Sequence, residues 1–447
     1  MQVTLEDWIG REAIPFSLDA PKVLDGILDR LMASLGEHVE LLGFGETLHG
    51  GQEILQLRNT LFERLVRAHG FTAIAIESSF TRAREVNEYI GGRGQGDYDA
   101  VQDTGFAQGV GRLESNRDLV EWMRRYNGEL AHPSQLRFYG FDIPTGSMGI
   151  AGPEPVLNFT LEYLASIDPA SANEHRRRMD SLLGQLSGWE NPAAWADPTK
   201  SVGLTEPATS LRIATEDLIT ELRTRRPELV AHSGQERYLE ALQYALLTRQ
   251  LLNFHAALAR QTGEPYAGPR GIRDALMADN LLHILARERA RGGKVLVFAH
   301  NGHLQRGKSV WPCCGQKFQG TEVYTWWPAG SQLNDVLGER YAVIGTAVGT
   351  SADNGIEAPE PGSLEARLTA LPGPALFIPT QGGHGLSAAE IASLPTRSGS
   401  LKNPTYTALT AQSFTDFDWL AVLNSTHYSR GGPSLDAWDA PAEAKEN

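Results

Sequence analysis

The chain has 447 residues, enough for one large domain with an insertion or for two domains. Hydrophobic residues make up 41% and charged residues 21%, a globular balance that excludes disorder on a large scale. The formal net charge of -14 repels polyanions and so excludes nucleic acid as a partner.

The opening residues MQVTLEDWIGREAIPF carry acidic side chains and no continuous apolar stretch, unlike a signal peptide. No run approaches the ~20 apolar residues that span a bilayer. A cytoplasmic protein with no membrane partner is therefore expected. His38 to Glu46 (HVELLGFGE) is predicted as a buried strand ending in a glycine-rich turn. Ile54, Leu57, Leu61 and Leu65 then repeat at helical spacing, and Gly70 is placed to stop that helix. Phe71 to Glu77 (FTAIAIE) is a second strand, followed by a helix from Phe80 to about Ile90. Gly92, Gly94 and Gly96 follow that helix and predict a flexible loop. A helix around Leu119 to Tyr126 leads to a third strand, Leu136 to Asp142 (LRFYGFD). Strands alternating with helices predict an α/β fold, a mainly parallel sheet flanked by helices.

Strand signals then vanish, and amphipathic helices rich in Arg and Glu take over, such as Tyr238 to Ala259. Pro153 and Pro155 precede this block, and Gly263, Pro265, Gly268 and Pro269 follow it. The expected division is residues 1–152 and 269–447 as two parts of an α/β core, with 153–268 an inserted helical subdomain over the active-site edge. A helix from Ile272 to Arg291, closed by Gly292 and Gly293, leads to a fourth strand, Lys294 to Ala299 (KVLVFA). Cys313 and Cys314 are the only cysteines, and their adjacency predicts free thiols rather than a staple. Tyr341 to Val348, Ala375 to Pro379 and Phe417 to Val422 are further candidate strands. Thr350 to Gly362 is expected to be a loop, and the tail after Pro441 disordered.

Four predicted strands end in polar residues: Glu46 with His49, Glu77, Asp142, and His300 with His303. In an open parallel sheet the C-terminal strand ends share one edge, where ligands bind. Carboxylates and imidazoles from those strands therefore meet in one cleft, suited to proton transfer or to a metal. Taken singly, Glu46 and Asp142 serve equally well as helix caps or first-turn acids, and His49 as a loop residue. Glu77 closes the run Ile74-Ala75-Ile76, where a buried carboxylate needs a partner or a function. Gly43, Gly45, Gly50 and Gly51 let backbone approach a ligand closely. A dinucleotide fingerprint fails because Leu48 stands where a third glycine belongs. No G-x-S-x-G elbow is present, since Thr145 occupies the first glycine position before Gly146-Ser147-Met148-Gly149, and no H-E-x-x-H helix occurs. Hydrolysis by an activated water is the simpler chemistry.

The segments GFGETLHGGQEILQLRNTLFERLV, GFTAIAIE, LRFYGFD, RGIRDALMADNLL and KVLVFAHNGHLQR resemble the erythromycin esterase family, as do Trp8 to Pro15 and ESNRDLVEWMRRYN. The resemblance runs from Trp8 to about Val348 and is specific in GE-x-x-HG and HN-x-H. It implies an α/β core with a helical portion over a deep cleft. It also implies hydrolysis of a macrolide lactone, hence antibiotic resistance, or of another ester. By position, His49 is implied as the general base, with Glu46 and Glu77 orienting it or sharing its proton. Arg58 is implied to hold the oxyanion or substrate, and His300 and His303 to act as acid or oxyanion stabilisers across the cleft. Asp142, Arg273, Asp274 and Asn280 match supporting positions. Leu48, where the family motif often has a small residue, is expected to reshape the cleft wall.

No cofactor is expected under this reading. Its first rival uses Glu46, His49, Glu77 and His303 as ligands to a divalent metal. Its second is a biosynthetic tailoring enzyme of a natural-product pathway. The expected partner is a small ester or macrolide-like substrate, and the chain is a monomer or a homodimer.

Overall fold

The computed structural model describes residues 4–93, 96–129, 132, 134–145, 150–195, 197–260, 267–312 and 323–435. Gly94, residues 146–149, Gly263, Pro265, the Cys313–Cys314 pair and the tail after Pro441 lie outside the described residues. The strands are β1 (Ile14–Phe16), β2 (Leu41–Glu46), β3 (Phe71–Ser79), β4 (Arg137–Asp142), β5 (Lys294–His300), β6 (Ser309–Pro312), β7 (Val323–Trp326), β8 (Tyr341–Thr350), β9 (Ala375–Pro379) and β10 (Trp419–Ser425). Eight form one sheet in the order β1-β9-β10-β8-β2-β5-β3-β4, while β6 and β7 pair separately.

The centre of the sheet is parallel: β2 pairs with β5 and β8, β3 with β5, and β10 with β8. One margin is antiparallel, through β9 against β10 and β1 against β9. Period-2 alternation distributes the side chains over two faces. Leu42, Phe44, Ile74, Ile76, Leu296 and Phe298 join one core layer. Leu41, Ala73, Ala75, Val295, Val297 and Ala299 join the other, with Met277, Leu281 and Leu285 of the helix Ala267–Arg289 packed among them. Strands apolar on both faces are what a helix-covered parallel sheet requires.

The described residues fall into two compact units. Those up to Phe141 and from Met277 onward form the first, and Asp142–Leu276 the second. The second unit is helical: Glu154–Ala165, Pro169–Leu183, Glu206–Thr224, Arg226–Ser233 and Gln235–Ala259 bury Leu157, Leu161, Leu211, Leu218 and Leu252 in a core of their own. Asp168 and Thr205 accept from Ser171 and Ala208 backbone amides at 3.1 and 3.4 Å, capping two of these helices. Among the described residues, no helix is long and apolar enough to cross a membrane.

β1 was not anticipated; a three-residue strand containing Pro15 carries no alternation to detect. Its position at the sheet margin is the one proline tolerates. The helix expected from Phe80 starts at Ala83, and the one expected around Leu119 spans Glu114–Gly128.

Candidate active site

Glu46 closes β2 directly beside His300, which closes β5. Ile76 of β3 pairs with Phe298, so Glu77 follows at the same edge. Three apolar parallel strands thus bring a carboxylate, a second carboxylate and an imidazole to one rim. The GFG run before Glu46 is sterically required. A Cβ on Gly43 would meet Val343 at 3.1 Å and the Tyr341 hydroxyl at 3.2 Å, and one on Gly45 would overlap the Asn301 side chain. Asn301 in turn donates through Nδ2 to the Thr346 carbonyl at 2.8 Å, tying the end of β5 to β8 across β2.

His49 is carried by the tight turn between β2 and the helix Gln52–Ala68. The Thr47 amide donates to Thr346 Oγ1 at 2.9 Å, and the His49 amide to Thr405 Oγ1 at 2.9 Å. Gly50 takes φ +79, a left-handed conformation, and a Cβ there would meet the Tyr428 ring. Held in this way, the imidazole folds back on its own strand, and its Nδ1 lies 2.6 Å from Glu46 Oε1. The ionised carboxylate accepts only, so Nδ1 carries the proton and Nε2 the basic lone pair.

Glu77 organises the other side. Its Oε2 accepts from the His300 amide at 2.9 Å, and its Oε1 lies 3.3 Å from His303 Nε2. His300 is committed to backbone: Nε2 donates to the Thr405 carbonyl at 2.8 Å, and Nδ1 accepts from the Gly302 amide at 3.1 Å, capping Asn301–Leu304. Burial drives its pKa down to about 3, with the neighbouring His49 adding to the effect. Both ring nitrogens of His300 are thus engaged by backbone, and burial opposes its charged form.

The Glu46–His49 pair behaves differently. Burial raises the pKa of Glu46, against the pull of His49. Burial works against protonation of His49, but the charge and hydrogen bond of Glu46, with Glu77 beyond, outweigh it and leave that pKa raised. The pair holds a proton more firmly than either group would in water.

Arg58 is fully buried, one turn past Leu55 on the same helix. Nη2 donates to Asn59 Oδ1 at 2.7 Å, and the guanidinium lies 4.7 Å from the Phe298 ring centroid. Burial lowers its pKa to about 10, so it stays charged at neutral pH. Glu46, His49, Arg58 and Glu77 line one cleft with Leu55, Ile76, Phe298, Gln108, Val110, Leu113 and Asn116. Gln108 stands in the wall at φ 53, one of the non-glycine residues forced into the left-handed region. Glu46 Oε2, Arg58 Nη1 and Asn116 Oδ1 are buried without a hydrogen-bond partner.

Neither His300 nor His303 is among the lining residues; the His300 ring lies 5.5 Å from that of His49, and His303 pairs with Glu77. Asp142, Arg273, Asp274 and Asn280 are not among the lining residues either. Asp142 and Arg273 form a bidentate pair in the second unit, at 2.8 and 2.6 Å. Asp274 is buried there, and Asn280 donates to the Phe141 carbonyl at 3.0 Å. The expectation for Leu48 is corrected: it is fully buried in the core layer and leaves the cleft wall untouched. The metal alternative is drawn into two carboxylate–imidazole pairs, Glu46–His49 and Glu77–His303. Among the described residues no group of three or more His, Cys, Asp or Glu is arranged to hold a metal ion.

Thr405 and Asn403 escaped the sequence reading. Thr405 accepts from His49 and His300, and Asn403 Oδ1 accepts from the Thr405 hydroxyl at 2.6 Å. They lie in an irregular stretch with no periodicity to flag them. Asn116 stood within a family-like segment, but one amide in an amphipathic helix carries no signal of its own.

The model of the erythromycin esterase family matches residues 66–425. The chain is 25% identical to erythromycin esterase type II of Escherichia coli over 350 residues, 76% of each chain. It is 23% identical to erythromycin esterase type I of Escherichia coli over 292 residues, 64% of this chain and 67% of the relative. Among solved structures, a Bacillus cereus protein superposes with a TM-score of 0.72 at 20% identity, covering 96% of this chain and 98% of its own. A succinoglycan biosynthesis protein gives 0.68 at 18%, covering 95% and 97%. A histidine-to-asparagine mutant of the erythromycin esterase EreC, in its open conformation, gives 0.67 at 19%, covering 93% and 98%. At these identities the superpositions speak for the fold.

Proposed function

Since the chain belongs to the erythromycin esterase family, we propose that it hydrolyses an ester through water activated by His49, with a macrolactone as the substrate class. The observation that carries this reading is the 2.6 Å contact of His49 Nδ1 with Glu46 Oε1 in a cleft that Arg58 also lines. With the proton on Nδ1, the Nε2 lone pair takes a proton from water as the water oxygen bonds to the ester carbonyl carbon. Glu46 and Glu77 stabilise the imidazolium formed, which is the sense in which they raise the pKa of His49. The charged guanidinium of Arg58 offsets the oxyanion through the otherwise unpartnered Nη1. Collapse breaks the bond from the carbonyl carbon to the alcohol oxygen, and the departing alkoxide recovers its proton from His49 Nε2. The products are an acid and an alcohol, and the base is regenerated.

General-base catalysis contributes about 10²–10⁴-fold and one oxyanion donor about 10²–10³-fold, so both are needed. The scheme assigns His303 to positioning Glu77, and His300 to holding the rim to Thr405. It routes no step through a metal, and no observation favours a tailoring reaction over hydrolysis. Mass spectrometry of a macrolide panel incubated with the purified protein tests the reading. The expected result is a gain of one water that tolerates chelator and vanishes in His49→Ala. Unchanged macrolides would overturn the substrate class, and a chelator-sensitive gain would overturn the metal-free scheme.

A further inference from the structure

Asn116 stands in the first turn of the helix Glu114–Gly128, is 3% exposed, and lines the cleft beside Val110 and Leu113. Its orientation is fixed, because Nδ2 donates to the Val110 carbonyl at 2.8 Å. Turning the amide over would set two acceptor oxygens against each other. Oδ1 is thereby held buried with no hydrogen-bond partner. A buried acceptor left unfilled is costly, so one on a residue that lines a cleft is a place for a donor. Arg58 is its neighbour: Nη2 lies 3.4 Å from the carbonyl of Ser115, the residue before Asn116, and Nη1 is equally unpartnered.

A cationic donor and a neutral acceptor therefore belong to two residues that line one cleft. Resting on the hydrolase reading above, we propose that Asn116 is a specificity-determining residue that selects esters bearing a hydroxyl close to the scissile carbonyl. The ester carbonyl gives Arg58 its acceptor, and a hydroxyl on the second or third acyl carbon gives Asn116 its donor. Leu55, Ile76 and Phe298 accept the hydrocarbon. Apolar contacts discriminate weakly between such a substrate and its deoxy analogue, whereas an acceptor left unpaired penalises the analogue.

The test compares kcat/KM for ethyl octanoate with that for its 2-hydroxy and 3-hydroxy counterparts, on the native chain and on Asn116→Ala. The native chain should prefer one hydroxy ester by about 10-fold, and the variant should bring that ratio close to unity. Each ratio is measured on one sample, so it does not depend on the fraction folded. Asn116→Ser, whose hydroxyl is too short to reach the ligand, serves if the alanine variant does not fold. No native preference, or a preference that survives the substitution, would overturn the inference. Turnover of none of these esters leaves the hydrolase reading to the macrolide panel. The inference is then read from calorimetric binding of the same esters to the native chain and the variant, and equal native affinities for hydroxy and deoxy esters overturn it.

Discussion

Glu288 and Glu46 are both buried carboxylates against the same sheet, one where the parallel strands begin and the other where they finish. Glu288 is fully enclosed, and its oxygens accept from Thr72 at 2.5 Å, Tyr139 at 2.8 Å and Arg291 at 3.0 Å. Those partners stitch the start of β3 and the middle of β4 to the end of the helix Ala267–Arg289. Glu46 has one oxygen paired with His49 and the other with no partner. A buried carboxylate whose hydrogen bonds are complete stabilises a fold. One left incomplete beside a cleft is poised to work on something that arrives from outside.

The contrast breaks most visibly at the histidine. His49→Ala should lower kcat for ester hydrolysis by about 10²–10⁴-fold, while the thermal unfolding curve stays close to native. A variant that loses stability and activity together would place His49 with the structural groups. Glu288→Leu should do the opposite. It strips the hydroxyls of Thr72 and Tyr139 and the Arg291 guanidinium of their acceptor, at about 3 kcal/mol of stability measured by denaturant unfolding. The kcat of the folded fraction should not change.

Glu46→Gln sharpens the comparison through pH. His49 must be neutral to act, so native kcat/KM should rise with pH through an inflection above the ordinary histidine value of 6.5. The Glu46 charge stabilises the imidazolium, so its removal should move that inflection to lower pH and reduce the rate. Stability should hold or rise by about 1 kcal/mol, since a buried charge is removed. An inflection that stays in place would detach Glu46 from the base. Thr405→Val should have the smallest effect, about 1 kcal/mol of stability for the lost acceptor of the His49 amide, with a modest loss of kcat.

Much of the rim was legible because apolar strands have no packing reason to end in Glu46, Glu77 or His300. The short apolar runs located those strands, and the rule for parallel sheets placed their ends together. What the pattern does not encode is how far each polar group is satisfied. His300 and His49 look alike as letters, yet one has both ring nitrogens bonded to backbone and the other faces a cleft. Leu48 looked like cleft wall because the family motif often has a small residue there, but its side chain is buried in the core. Glu288 was hidden within an amphipathic helix full of charged residues. Thr405 and Asn403 act through side-chain and carbonyl contacts from an irregular stretch, where no residue spacing reports a contact.

The order of the strands has a consequence for how this protein is made. β5 lies between β2 and β3, yet it is synthesised long after both, since β3 ends at Ser79 and β5 begins at Lys294. A growing chain on the ribosome can complete β2 and β3 but must leave a vacant lane between them. Until that lane is filled, both strands present open edges that invite pairing with other chains. Closing it demands contacts distant in sequence, which slows folding far more than it weakens the final state. Demand for chaperone protection should therefore peak before β5 emerges. A nascent fragment ending short of His300 would have Glu46 and His49 in hand and no rim to hold them.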